Sequence, residues 1–186
     1  MKQLVDYMVA ALVLLLCCPL LLYIAIRIRM QGAGSVFYQQ ERLGKGGVPF
    51  RMVKFRTMVT GAEDGTPLLA VSDDQRVTAF GRTLRKHHLD ELPQFWNVLK
   101  GDMSIVGPRP ERAWFVQQIL EKTPDYKRIF NLKPGITSLG MVKFGYANTI
   151  EKMIERSRYD LYYLEHYSFW LDVKILLATV REVWIG

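Results

Sequence analysis

This chain has little from which a disulfide framework or a zinc site is built. Its two cysteines, Cys17 and Cys18, are adjacent and lie inside an apolar run, so they form no disulfide framework. The three histidines, His87, His88 and His166, stand at no zinc spacing with them. Any metal is then a hard cation held by oxygen. The glycine cluster Gly44-Lys45-Gly46-Gly47 lacks the spacing and terminal Lys-Ser/Thr of a nucleotide-binding loop, and it reads as a turn. There is no internal repeat, no low-complexity tract and, after Gly32, no clean linker. Negative charge is in deficit: 25 Lys and Arg against 18 Asp and Glu give +7, which calls for an anionic partner.

Apolar residues, by contrast, are abundant. They make up 49% of 186 residues, enough for a core beyond the stretch from Tyr7 to Ile26, which runs for twenty residues without a formal charge. That length suits a membrane segment. A secretory signal would have a shorter apolar region and a small-residue cleavage site, neither of which precedes Arg27; a lipoprotein signal would not place Leu16 before its cysteine. Membrane attachment argues against nucleic acid as the anionic partner and for lipid head groups or nucleotides.

Arg27, Arg29, Arg42, Lys45, Arg51, Lys54 and Arg56 follow the segment, so the remainder is expected on the cytoplasmic face. Pro19 removes a backbone donor inside the run and clashes with the Leu15 carbonyl. A kinked span and a re-entrant hairpin both fit. Residues 1–30 are therefore read as the membrane element and residues 31–186 as a membrane-associated cytoplasmic domain.

Within that domain, Ser35 to Arg42 and Pro49 to Thr57 read as strands of a hairpin, with Val53 and Phe55 on one face and Lys54 and Arg56 on the other. Glu63 to Gln75 is polar and turn-rich, and Val77 to Leu89 has helical spacing. Pro93 disfavours a helical Leu92, which predicts one helix ending near Asp90 and another starting around Glu91 to Pro93. Arg112 to Glu121 and Tyr159 to Trp170 are rich in aromatic and aliphatic side chains, which suit either a core or a membrane interface. Leu171 to Trp184 reads as a last amphipathic helix. The fold class is α/β, helix-rich, with a small antiparallel hairpin.

The chemistry concentrates between Leu84 and Glu111. Asp90 and Glu91 follow Arg85, Lys86, His87 and His88, and Arg109 is held between Pro108 and Pro110, which bias it towards an extended backbone. Adjacent carboxylates among cations, followed by a stiffened arginine, suit phosphate handling. Taken singly, Asp90 and Glu91 would be solvated helix residues paired with Lys86 and His87, Lys54 and Arg56 would be snorkelling side chains, and His87 and His88 would lie on the surface. A glycosidase also uses two carboxylates, but needs them about 5 Å or more apart across the scissile bond, a separation that neighbours in sequence rarely supply.

Three ordered motifs decide between these readings: Lys54-Phe55-Arg56-Thr57-Met58; Leu89-Asp90-Glu91-Leu92-Pro93-Gln94 with Asn97-Val98-Leu99; and Gly101-Asp102-Met103-Ser104 leading to Val106-Gly107-Pro108-Arg109-Pro110-Glu111. With them the chain, from about Asp6 to Thr179, resembles the bacterial sugar transferases, the monotopic polyprenyl-phosphate phosphoglycosyl transferases. Weaker echoes are Gln39, Arg42 and Gly44, then Pro134-Gly135-Ile136-Thr137, Asp160, Tyr163 and Asp172.

The resemblance implies transfer of a sugar-1-phosphate from a UDP-sugar to undecaprenyl phosphate, with release of UMP, at the bacterial inner membrane. It implies a covalent phosphosugar on Asp90, magnesium as cofactor, and the minimal catalytic form of the family. It also implies a re-entrant helix-turn-helix, although the family commonly has serine where this chain has Cys18, before Pro19. Asp90 and Glu91 are the candidate catalytic and metal-holding residues, with metal or acceptor positioning, or proton transfer, expected of Glu91. Lys54, Arg56, Arg85 and Arg109 are the candidate substrate contacts, Arg109 being best suited to bidentate grip. The competing function class is a non-catalytic anchor for anionic lipids, which accounts for the basic charge and the aromatics but not for the acid pair.

Overall fold

The structure, a computed structural model, describes residues 2–62 and 74–185. The turn-rich stretch read at Glu63 to Gln75 lies almost wholly outside the described residues. Two helices open the chain, α1 (Lys2–Leu16) and α2 (Cys18–Arg29), bent by 62° at their junction. Pro19 stands in the first turn of α2, where its missing N–H costs least, and the Leu15 carbonyl loses the donor that a continuous helix would supply. No single described helix is long and apolar enough to cross a membrane; the bent pair passes only when taken together.

Both ends of this pair pack on the rest of the molecule. Near its start, Lys2 Nζ lies 2.6 Å from Asp172, Asp6 accepts from the Ser104 hydroxyl at 2.7 Å, and Ala10 is buried with Val98, Met103 and Ile105. Near its end, Ile24 and Ile28 pack with Phe55 and Leu84. Leu12, Leu15, Leu16, Leu20 and Leu22, grouped around the bend, stay exposed.

Strands β1 (Phe37–Leu43) and β2 (Pro49–Phe55) form the antiparallel hairpin read from the sequence, in register from Phe37 opposite Phe55 to Leu43 opposite Pro49. Its turn passes through Gly46 and Gly47 at φ of 71° and 74°, a left-handed backbone that other residues resist. Phe55 faces α2 and α3 (Ala79–Lys86), whereas Met52 enters the larger core with Val98 of α4 (Gln94–Lys100), so both faces of the hairpin are used.

A second, parallel pair went unread in the sequence: β3 (Ser104–Val106) beside β4 (Gly135–Thr137). Here the backbones nearly touch. A Cβ on Gly135 would fall 2.2 Å from the Gly107 nitrogen, which is why glycine occupies both positions. The remaining helices are α5 (Ala113–Lys122), α6 (Leu139–Phe144), α7 (Ile150–Glu165) and α8 (Phe169–Ile185). Phe115, Val116 and Ile119 of α5 are buried against Tyr126, Ile129 and Met153. Of the aromatics between Tyr159 and Trp170, Tyr163 is in the core, while Phe169 and Trp170 are largely exposed. The molecule is thus a helix-rich α/β fold with a small antiparallel sheet.

Candidate active site

The acid pair sits in a tight turn, not at a helix junction of the expected kind. Helix α3 stops at Lys86, three residues earlier than its periodicity predicts, because His87 leaves helical geometry and His88 adopts a left-handed backbone at φ 52°. Histidine visits that region more readily than most residues. Leu89 to Glu91 then form one 3-10 turn, and α4 starts only at Gln94.

Asn97 couples this turn to the hairpin. Its side chain accepts from the Val53 N–H at 3.0 Å and donates to the Arg51 carbonyl at 2.8 Å, which holds α4 against β2. Lys54 is thereby brought to Glu91, with Nζ 2.5 Å from Oε1.

Arg109 approaches the same oxygen at 3.4 Å from the loop that leaves β3. That loop is fastened on three sides. Asp160 accepts from the Arg109 N–H at 3.2 Å and from Gly140 at 2.9 Å; Arg42 donates to the Pro110 carbonyl at 3.2 Å and to Glu111 at 3.1 Å; Arg156 donates to the other Glu111 oxygen. Glu111, Arg42 and Arg156 therefore position Arg109 without touching the acid pair. In the sequence Glu111 closes the third motif and Arg42 and Asp160 are weaker echoes, whereas nothing pointed to Arg156.

The two neighbouring acids are driven apart electrostatically. Burial opposes a charge on Glu91, but Lys54 and Arg109 outweigh it and hold its carboxyl down to about 2. Asp90 is also buried, and desolvation, reinforced by the charge of Glu91, raises its pKa against the pull of Lys54, Arg85 and His88. Among the described residues, nothing donates a hydrogen bond to the Asp90 carboxylate. Glu91 is a brace whose two cations favour its ionised form; Asp90 is largely buried and, among the described residues, without a hydrogen-bond partner. Such separation is the usual mark of a pair divided into different roles.

The remaining sequence-derived candidates lie further out. Arg85 Nε is 2.9 Å from the Thr57 hydroxyl, and its charge still reaches Asp90. Arg56, beyond the end of β2, donates to the carbonyls of Ala33 at 3.0 Å and Ile28 at 3.4 Å, so its guanidinium ties the hairpin to the end of α2. Among the described residues no group of three or more His, Cys, Asp or Glu side chains is gathered as a metal cage. Magnesium still suits the donors present, since it retains waters and takes one or two carboxylates together with substrate phosphates. Asp90 is unengaged, and Glu91 meets both cations through Oε1 alone.

Lys54→Met should raise the pKa of the Asp90 carboxyl further, because Lys54 is the neighbouring charge that lowers it most. An NMR titration of the Asp90 side chain checks this; an unshifted curve would remove Lys54 from the electrostatics of Asp90.

Residues 1–186 match the model of the family described as bacterial sugar transferase, and the chain belongs to that family. It is 40% identical over 185 residues to a UDP-N-acetylgalactosamine-undecaprenyl-phosphate N-acetylgalactosaminephosphotransferase of Aeromonas hydrophila, covering 100% of this chain and 44% of the relative. It is 42% identical over 187 residues to a UDP-glucose:undecaprenyl-phosphate glucose-1-phosphate transferase of Klebsiella pneumoniae, covering 100% and 40%. A Caulobacter vibrioides protein of the same printed name is 41% identical over 185 residues, covering 98% of this chain and 69% of the relative. The chain thus spans less than half the length of the first two.

Proposed function

We propose that this chain is a polyprenyl-phosphate phosphoglycosyl transferase that moves a sugar-1-phosphate from a UDP-sugar to undecaprenyl phosphate. The observation that carries the reading is the divided acid pair: a buried, unengaged Asp90 beside a Glu91 braced by Lys54 and Arg109. In the first step an Asp90 oxygen attacks the sugar-proximal phosphorus, the bond from that phosphorus to the bridging oxygen breaks, and UMP leaves with the electron pair. In the second, a phosphate oxygen of the polyprenyl acceptor attacks the same phosphorus and Asp90 departs as carboxylate. The acceptor's second pKa is about 6, so it arrives largely as a dianion and needs no strong base.

Lys54 and Arg109 lower the cost of bringing a dianionic donor beside two carboxylates, and Glu91 fixes both cations in place. Magnesium, held by Asp90 or Glu91 with donor phosphates, would neutralise charge on the diphosphate and the leaving oxygen. The names of the relatives, which pair UDP-sugars with undecaprenyl phosphate, support the substrate classes.

UMP release from UDP-sugars on adding undecaprenyl phosphate tests the reaction. No release with any UDP-sugar, together with binding to anionic vesicles, would favour the lipid anchor. Turnover is expected to stop in EDTA and return with magnesium; full activity in EDTA would take the metal out of the mechanism. Arg109→Ala should weaken donor use by about 1.5–3 kcal/mol, the scale of a hydrogen bond to a charged group, while substitution of the exposed Arg181 on α8 by alanine changes little. Equal losses would point to a general charge effect.

The same proposal places the bent pair in the membrane as a re-entrant hairpin, with the domain on the cytoplasmic face of the inner membrane. Support comes from the ends of the pair, both packed on the domain, and from the exposed leucines around the bend.

A further inference from the structure

Tyr146 lies between α6 and α7 at the rim of the acid pair, and the reaction proposed above leaves it without a task. It follows Gly145, whose φ of 85° turns the chain out of α6, and the residue is 64% exposed. Yet its ring is not loose. The Arg109 guanidinium carbon lies 5.6 Å from the ring centroid, and the His88 ring is parallel to it within 2°, with centroids 6.3 Å apart. The tyrosine hydroxyl stands 3.4 Å from His88 Nδ1, so the two rings are offset, not eclipsed. His88 in turn holds its unusual left-handed backbone immediately before Leu89, Asp90 and Glu91.

The site therefore has two zones. On the inner side Lys54 and Arg109 offer charge, which suits phosphate oxygens. On the outer side Tyr146 and His88 offer flat, weakly polar surface, fixed in orientation but open to solvent. The guanidinium of Arg109 separates the zones, much as a ribose separates the phosphates of a nucleotide from its base. A base has a π-face and no charge at neutral pH, so it gains more from a ring than from a further cation.

We infer that Tyr146, with His88 beside it, is the stacking platform for the nucleobase of the donor, set in line with the phosphate grip of Arg109. This deepens the proposed function and rests on it, since it requires a nucleoside diphosphate sugar as the donor. Stacking recognises a planar base with little discrimination among bases.

The test compares UMP with ribose 5-phosphate, which keeps the phosphate and the sugar but lacks the base. With the full chain in lipid nanodiscs, wild type should bind UMP about 5- to 150-fold more tightly, the range expected of one stacked base. Tyr146→Ala should bring the ratio close to one while leaving ribose 5-phosphate affinity nearly unchanged, which also reports an intact phosphate site. Tyr146→Phe, which keeps the ring, should restore the preference. A Tyr146→Ala protein that still prefers UMP as wild type does would overturn the platform alone. Equal weakening of both ligands would overturn it too, assigning Tyr146 to the support of Arg109. Wild type that binds neither ligand would overturn the nucleotide-sugar reading itself.

Discussion

Asp90→Asn is expected to abolish turnover, by about 10^4-fold or more, and to lack the phosphosugar adduct that the proposed mechanism predicts for wild type with donor alone. The amide matches the acid in shape but lacks the charge that attacks phosphorus. Intact-mass measurement after incubation with UDP-sugar alone separates this from a defect in acceptor binding, because the predicted adduct needs no acceptor. Substantial activity in the variant would mean that Asp90 is not the nucleophile.

Stability should move the other way. Burial raises the Asp90 pKa in the folded protein, so the neutral acid is the form the fold favours. A raised folded pKa contributes stability that is full below the unfolded pKa and is lost as pH rises through the folded one. An ionised Asp90 is therefore a cost that the amide avoids, and no described donor is orphaned by the change. Asp90→Asn should melt at the same temperature as wild type or higher. An inactive variant that was also markedly less stable would make loss of fold the simpler account. Glu91 has the opposite sign: held down to about 2 by Lys54 and Arg109, it contributes stability above its unfolded pKa that is lost only as pH falls towards 2. Glu91→Gln would leave two cations facing a neutral amide, so its loss of activity would come with a loss of stability.

What the sequence made legible follows from the range of the interactions involved. The hairpin was visible because strand alternation and a glycine turn are local. So was the break at Pro19, since a missing N–H acts within one helical turn. Helix α8, read as Leu171 to Trp184 and observed as Phe169–Ile185, carries its own pattern. The parallel strands Ser104–Val106 and Gly135–Thr137 were not legible, because three residues carry no period and their partners lie 31 positions away. The left-handed His88 was equally hidden: helical spacing continues through it, and only the turn it makes towards Asp90 explains the early end of α3.

The site divided along the same line. Asp90, Glu91, Lys54 and Arg109 could be named from motifs, and three of them meet at one Glu91 oxygen. Arg56 shares a motif and an alternation face with Lys54, yet it lies past the last strand residue, where the carbonyls at the end of α2 claim it. Alternation predicts direction only while the ladder continues. The supports of the Arg109 loop come from Arg42 on β1 and from Arg156 and Asp160 on α7, all far from the loop in sequence, and tertiary packing alone shows that they serve it.

If the bent pair enters the membrane as proposed, its two ends should be reached from the same side. Helices of 15 and 12 residues measure about 22 and 18 Å at 1.5 Å per residue, against about 30 Å of hydrocarbon. Neither crosses alone, and a 62° bend shortens their joint reach. The ion pair of Lys2 with Asp172, the bond from Ser104 to Asp6 and the packing of Ile24 and Ile28 fasten both ends to one domain. A spanning form would have to break the first two and leave Asp6 and Asp172, both buried, without these partners. A cysteine at exposed position 3, in a background lacking Cys17 and Cys18, spares the Lys2 pair and can be challenged with an impermeant thiol reagent in intact cells. Protection until the cells are opened is the expected result, and labelling from outside would establish a kinked span instead. Pro19→Leu restores the missing donor and favours a straight helix, so it should shift part of the population towards outside labelling; Cys18→Ser, whose hydroxyl bonds a freed carbonyl better than a thiol does, should not.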